Sequence, residues 1–267
     1  PTSVPAGTNF ITIEVQDQFG QPVKNSWVAI TQNNEHVDFA ITDETGIVNL
    51  KIPTELESAL TIVVSNEDYI SKMLFIQPNE DEAAVSLNDY IISDAANGNN
   101  NHQINPNETI KFDMSIKNYT NSAQTNLNLT LRCNSPYATI LDSTAIIANI
   151  NANAVTSLTD AFNVQIAQNC PSNLPIEFTL IIQSGNETWK SMIFETVKAV
   201  DLDIASMNVV GSSYVQIGTP TNIYFTVMNN GVLPAENVLA KLKSESLFLQ
   251  VIDSLAVFGS INPGSTA

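Results

Sequence analysis

Arginine is almost missing from this chain, with Arg132 alone among 267 residues. Ten basic side chains face 27 acidic ones, for a formal net charge of −17. A field of that sign repels nucleic acid and anionic membrane surfaces, and it leaves cations, basic peptides and neutral glycans as compatible partners. Long apolar runs are missing too. None approaches the roughly 18 residues that mark a membrane span, so no membrane insertion is expected. No signal peptide is visible, and the first residue is Pro1 rather than methionine, which reads as a processed or excised piece. Cysteine is limited to Cys133 and Cys170, and two thiols without closely spaced histidines do not form a four-ligand zinc shell. Helical periodicity is absent over any window that a stable helix needs.

What the chain has instead is short alternating segments. Strands are expected at 9–15, 27–31, 37–42, 47–52, 60–65 and 73–76, each rich in β-branched or aromatic residues and bounded by Asn, Asp, Gly or Glu clusters. Inward residues Ile11, Ile13, Val28, Ile30, Ile62 and Val64 would supply the core of one sandwich over 1–80. The acidic run Asn79-Glu80-Asp81-Glu82 is expected to close it as a linker or exposed loop, since like charges keep a segment extended.

From Leu87 the pattern restarts. Ile110, Phe112, Met114 and Ile116 alternate with polar residues, as do Leu127, Leu129 and Leu131, and further strands are expected at 138–141, 146–150, 162–166, 176–182 and 189–197. Shifting the chain against itself by 229 − 118 = 111 residues lays Asn118 on Asn229, Asn126 on Asn237, Leu131 on Leu242, Tyr137 on Phe248, and Asp142-Ser143 on Asp253-Ser254. So many matches in one ungapped register point to a duplicated unit. The expected organisation is therefore all-β, with tandem immunoglobulin-like or fibronectin-like sandwiches at 1–80, 81–200 and 201–267. The third is truncated, because Ala267 falls on Thr156, ahead of the last strands of the second. Phe225, Val227 and Leu242 would then be partly uncovered, to be completed either by sequence beyond Ala267 or by a strand from another chain.

One stretch looks like a ligand shell. Laid over a twelve-residue calcium loop, residues 97–108 put Asn97, Asn99, Asn101, Asn105 and Glu108 at side-chain ligand positions, with Gln103 offering its carbonyl. His102 stands where glycine makes the sharp turn, and asparagines stand where aspartates would supply charge, so a calcium site here would be weak and structural. An Asn-rich hairpin loop whose amides satisfy their own backbone fits the same residues. The 111-residue shift replaces Asn99, Asn101 and Glu108 with Val210, Ser212 and Thr219, which restricts any calcium to the second domain.

The motifs also carry a family likeness. Val15-Gln16-Asp17-Gln18-Phe19-Gly20-Gln21-Pro22-Val23, Thr42-Asp43-Glu44-Thr45-Gly46 and Val64-Ser65-Asn66-Glu67-Asp68-Tyr69-Ile70 resemble the immunoglobulin-like domain that follows the catalytic domain of gingipain-type cysteine peptidases. Gly98-Asn99, Pro106-Asn107-Glu108, Lys117-Asn118 and Asn169-Cys170-Pro171 are similar to the sandwich repeats of secreted Bacteroidetes proteins, with Asn107 in place of the usual glycine. The resemblance implies a secreted or cell-surface location. That compartment is oxidising, so a Cys133–Cys170 disulfide is permitted; two small buried hydrophobes is the other use. Gingipain-type catalysis needs a His followed by Gly and a Cys preceded by Ala, and neither pair is present, so no catalytic residues are assigned. Asp142-Ser143-Thr144 and Asp253-Ser254-Leu255 resemble O-glycosylation sites of the same phylum and also read as β-turns. Trp27, Trp189, Tyr69, Tyr137 and Tyr214 are expected as core or corner residues rather than a glycan platform.

Two functional expectations follow, besides that of a passive stalk. One is a non-catalytic accessory or spacer region of a gingipain-like peptidase, partnered by the other domains of its parent chain and docking substrate. The alternative is a surface adhesion or glycan-binding module that meets a host protein or glycan without any peptidase.

Overall fold

Successive side chains on an extended backbone point to opposite faces, so alternating sequence of this kind becomes sheet with one face buried. A computed structural model describes residues 3–211 and 214–267, and among them there is no helix. Ser212, set against Asn101 above, lies outside the described residues. The fold is all-β, a series of sandwiches, and it falls into two compact units. One comprises Pro1–His102, Thr109–Gln165 and Ile176–Glu195; the other comprises Gln103–Glu108, Ile166–Pro175 and Thr196–Ala267.

The first sandwich uses β1 (Ser3–Ala6), β2 (Phe10–Glu14), β3 (Trp27–Gln32), β4 (Glu35–Ile41), β5 (Ile47–Lys51), β6 (Leu60–Asn66) and β7 (Tyr69–Ala83). A five-stranded sheet ordered β1-β7-β6-β3-β4 faces the β2-β5 pair. Ile11, Ile13, Val28, Ile30 and Ile62 are buried between them with Leu50 and Leu60, and Val64 packs at the margin. The acidic run at 79–82 is not a linker. It belongs to β7, which pairs in parallel with β1 at Val4 against Pro78 and Pro5 against Asn79, while Asp81 and Glu82 stay in water. The backbone ladder outweighs the repulsion between charges that remain solvated.

The second sandwich comprises β8 (Val85–Asn97), β9 (Thr109–Asn118), β10 (Gln124–Cys133), β11 (Ala138–Asp142), β12 (Thr144–Ile150), β13 (Val155–Ile166), β14 (Pro175–Ser184) and β15 (Glu187–Thr196). Its sheets are ordered β12-β10-β14-β15 and β11-β13-β9-β8. Phe112 of one sheet meets Phe178 of the other edge to face at 5.3 Å, and Tyr90 packs on Phe112 at 6.0 Å. Side chains tie the edge strands together. Ser86 and Ser191 hydroxyls lie 2.9 Å apart, and the Tyr90 hydroxyl donates to Glu195 Oε1 at 2.6 Å. Burial and that carboxylate raise the Tyr90 pKa far above the usual phenol range.

A buried asparagine joins the first two sandwiches. Asn9 Nδ2 donates to the Met192 carbonyl at 2.8 Å, and its Oδ1 accepts the Met192 N–H at 3.0 Å, as a neighbouring strand would. The Ala84 N–H also donates to the Ala6 carbonyl at 2.8 Å, and Lys117 pairs with Glu55 at 2.5 Å. Short linkers alone would leave such modules free to bend; here backbone polar groups at the joint are paired.

The third sandwich has β16 (Leu202–Val209) with β17 (Ile223–Asn229), and β18 (Ala235–Lys241) with β19 (Leu255–Ile261). Its four strands correspond to β8, β9, β10 and β12 of the second. Gln124 against Ile150 becomes Ala235 against Ile261, both displaced by 111. The bulge between Leu87 and Asp89 recurs between Ile204 and Ser206, but with a shift of 204 − 87 = 117. The loop between the first two strands is therefore 117 − 111 = 6 residues shorter in the third copy, and Val210 corresponds to Ser93 rather than to Asn99. An ungapped shift across that loop pairs the wrong residues.

A buried asparagine braces each copy in the same way. Asn118 Nδ2 donates to the carbonyls of Ser122 (2.8 Å) and Ile150 (3.3 Å), while Oδ1 accepts the Thr120 N–H (2.9 Å). Asn229 donates to Leu233 (2.8 Å) and Ile261 (3.0 Å) and accepts from Gly231 (3.0 Å). The small core of the third copy holds Val227, Ala235, Val238 and Ile261. Val227 is thus covered, contrary to expectation, because it packs with Ala235, Val238 and Ile261; Phe225 is half-buried and Leu242 is exposed.

Candidate functional site

The Asn-rich loop is built on a carboxylate that lies just upstream of the calcium-loop register. Asp94, near the end of β8, is fully buried, and it accepts the Asn101 N–H at 3.2 Å and the His102 N–H at 3.3 Å. Asn99 Oδ1 accepts the same Asn101 N–H at 3.0 Å. Gly98 is required where it stands: a Cβ there would lie 2.6 Å from the Asp94 carbonyl oxygen. Asn97 remains in the ladder, opposite Thr109.

His102 does the work of the glycine it replaces. Its φ is +60°, in the left-handed region, and its ring Nδ1 donates to the Ile92 carbonyl at 2.8 Å. Two hydrogen bonds thus hold a conformation that a side chain ordinarily disfavours. Asn107, the other departure from glycine, takes φ +67°. Both residues hold left-handed backbone, which side chains ordinarily disfavour.

Gln103, Asn105 and Glu108 belong to the second unit. There Ile104 is buried and its carbonyl accepts the Lys198 N–H at 2.8 Å, while Asn105 Nδ2 donates to the Lys198 carbonyl at 2.8 Å. Glu108 is buried, with its carbonyl bound by the Ile166 N–H at 2.9 Å. These residues clamp the chain ahead of β9 to the segment that follows β15. Among the described residues, no group of three or more His, Cys, Asp or Glu side chains converges as a metal shell.

Cys133 and Cys170 both stand as free thiols, half-buried and buried respectively. Cys133 ends β10 opposite Phe178, and Cys170 lies in the turn ahead of β14, its N–H on the Ala167 carbonyl. Burial pushes both thiols above the ordinary range, with the Glu177 carboxylate adding to the effect at Cys133. A raised pKa lowers the thiolate fraction at neutral pH, which is the opposite of what a nucleophile needs. Thiol titration is expected to find two groups in denaturant, and alkylation of the folded chain at pH 8 to run about tenfold slower than for an exposed cysteine, rising with pH. Absence of titratable thiol after denaturation without reductant would show a disulfide instead.

The two Asp-Ser turns are equivalent. Asp142 accepts the Thr144 N–H and Asp253 the Leu255 N–H, both at 3.3 Å, and the Ser143 and Ser254 carbonyls accept from Leu131 and Leu242. Among the aromatics, Trp27, Tyr69 and Tyr214 are exposed rather than core, while Tyr137 and Trp189 are half-buried. Alternation assigns residues to two faces of a strand without saying which face is wet.

No protein-family model matches the chain, and no curated protein matches it. Among solved structures it is similar to the native conformation of E. coli alpha-2-macroglobulin, at 10% identity and a TM-score of 0.36, covering 79% of this chain and 17% of that one. It is also similar to the D0-D1 domain of intimin, at 10% identity and a TM-score of 0.25, covering 73% and 94%. The BSP domain of a biofilm associated protein matches at 9% identity and a TM-score of 0.26, covering 73% and 28%. This chain thus spans 17% of the alpha-2-macroglobulin chain it matches.

Proposed function

We propose that this chain is a non-catalytic accessory and spacer region of a secreted or cell-surface protein, and that its parent is a gingipain-like cysteine peptidase. The observation that carries the reading is the duplicated sandwich, with the same bulge and the same asparagine brace in both copies. Tandem copies of one module set distance and present surface, which is what a spacer between a catalytic domain and its surroundings must do. On this reading the modules divide near residues 80 and 200, and no residue of the chain performs catalysis. The burial that raises the Cys133 and Cys170 thiol pKa supports the second point. The reading frame upstream of residue 1 is expected to encode an α/β domain with a His-Gly and an Ala-Cys pair. Finding further sandwiches alone would favour the surface-adhesion alternative, to which the exposed Trp27 lends support.

Calcium, on the same proposal, is a minor structural ligand of the 97–108 loop and nothing the fold requires. Calorimetric titration is expected to show at most one site, with a Kd of about 10⁻⁵ M or weaker, because asparagine amides supply little of the charge that tight loops use. Nanomolar binding, or unfolding on chelation, would contradict it.

A further inference from the structure

An antiparallel sheet with one face on a core ordinarily shows water a polar face. The five-stranded sheet of the first sandwich does not. Its inner face carries Val28, Ile30, Leu60, Ile62 and Ile76, all buried. Cross-strand register places Trp27 beside Ile41 and Ser65, Ala29 beside Phe39 and Val63, Val63 beside Met73, and Thr61 beside Phe75, all on the other face. Exposures there are 53% for Trp27, 54% for Phe39, 44% for Ile41, 57% for Met73 and 61% for Phe75. Trp27 and Phe39 stack at 6.0 Å with their planes 9° apart, and His36 stands edge-on to Phe39.

We propose that this outer face docks a polypeptide whose apolar surface is bordered by lysine or arginine. None of the paired residues named above carries a formal charge, although the chain holds 27 acidic side chains. Aromatic residues and methionine with few charges are the composition of an interface core, and contiguous exposed apolar surface marks an interaction site. A glycan site would instead need polar groups converging among the rings, and Ile41, Val63, Met73 and Phe75 supply none. The charges gather at the ends of the strands and are acidic. Glu57 lies in the loop held to Gln32 through the Ser58 carbonyl, and Glu67 and Asp68 form the turn between β6 and β7. Lys24, near that turn, is engaged by Glu44 at 2.9 Å, and Lys72 pairs with Val64 in the register of the inner face. Acid at both ends favours a basic border on the partner, and it disfavours a second copy of a chain with a net charge of −17. The proposal stands whether or not a peptidase domain precedes this chain.

The test uses the whole chain and a short peptide of alternating leucine and lysine as probe, followed by calorimetry. Trp27→Ser with Phe75→Ser keeps the net charge, and it is expected to weaken binding about tenfold or more, as loss of central aromatic anchors does. Met73→Thr serves as a milder second variant, with circular dichroism and Trp189 fluorescence confirming the fold of each. The matching leucine–glutamate peptide is expected not to bind. Equal binding of the lysine peptide to wild type and variants would overturn the proposal by showing a general charge effect. Equal binding of the glutamate peptide would also overturn it, as would self-association in sedimentation that Trp27→Ser abolishes, or Trp27-dependent binding of a neutral oligosaccharide in place of the peptide.

Discussion

Replacing Asn118 with alanine is expected to cost the second sandwich about 3 kcal/mol of stability. One side chain there satisfies the carbonyls of Ser122, Ile150 and Asn151 and the N–H of Thr120. Alanine leaves the buried members of that set without water or partner, and an unmade buried hydrogen bond costs about 1–3 kcal/mol. Aspartate is expected to be no better, since it would set a carboxylate oxygen against three carbonyls where the amide now donates. Urea unfolding followed by Trp189 fluorescence measures both variants. A loss below about 1 kcal/mol for alanine would mean that the brace is ornamental.

Phe112→Ala is expected to be at least as damaging, at about 3–5 kcal/mol. The ring is fully buried and stands between Tyr90 of its own sheet and Phe178 of the facing one. Removing it takes away apolar burial and leaves a cavity that two sheets held by ladder bonds cannot close. Phe112→Leu keeps much of the volume and is expected to lose less than about 1.5 kcal/mol. Similar losses for alanine and leucine would show that the space collapses freely and that the inter-sheet contact matters little.

The parts of this fold that could be read from sequence are those in which one strand declares its own faces. β9 alternates without interruption from Thr109 to Asn118, and every second residue of it is buried. Asn118 and Asn229 fell on each other in the 111-residue shift, and the structure shows that the match marks a buried brace kept in both copies. What could not be read depends on partners distant in sequence. β1 and the acidic end of β7 become strands through each other, across more than seventy residues, and neither alternates. The change of shift from 117 to 111 was hidden because it falls in a loop, where no periodicity marks the lost residues.

The candidate site was legible in outline and not in its centre. The asparagines and the turn at His102 were visible, whereas Asp94 lies upstream of the calcium-loop register and inside a strand, so spacing gave no reason to single it out. In β3, Trp27 and Ala29 alternate with Val28 and Ile30, and both sets are apolar. Val28 and Ile30 were assigned inward and are buried, but Trp27 on the opposite face was expected in the core or at a corner too, and its exposure emerged only with the sheet.

The most direct test of the central claim, that the chain carries two copies of one sandwich module built around the same buried asparagine, is exchange of side-chain amide protons by NMR. Both Asn118 and Asn229 are fully buried and donate to corresponding carbonyls. Slow exchange of the amide protons of both residues, with nuclear Overhauser contacts to Ser122 and Ile150 in one copy and to Leu233 and Ile261 in the other, is the predicted result. Fast exchange at Asn229 beside slow exchange at Asn118 would contradict the claim.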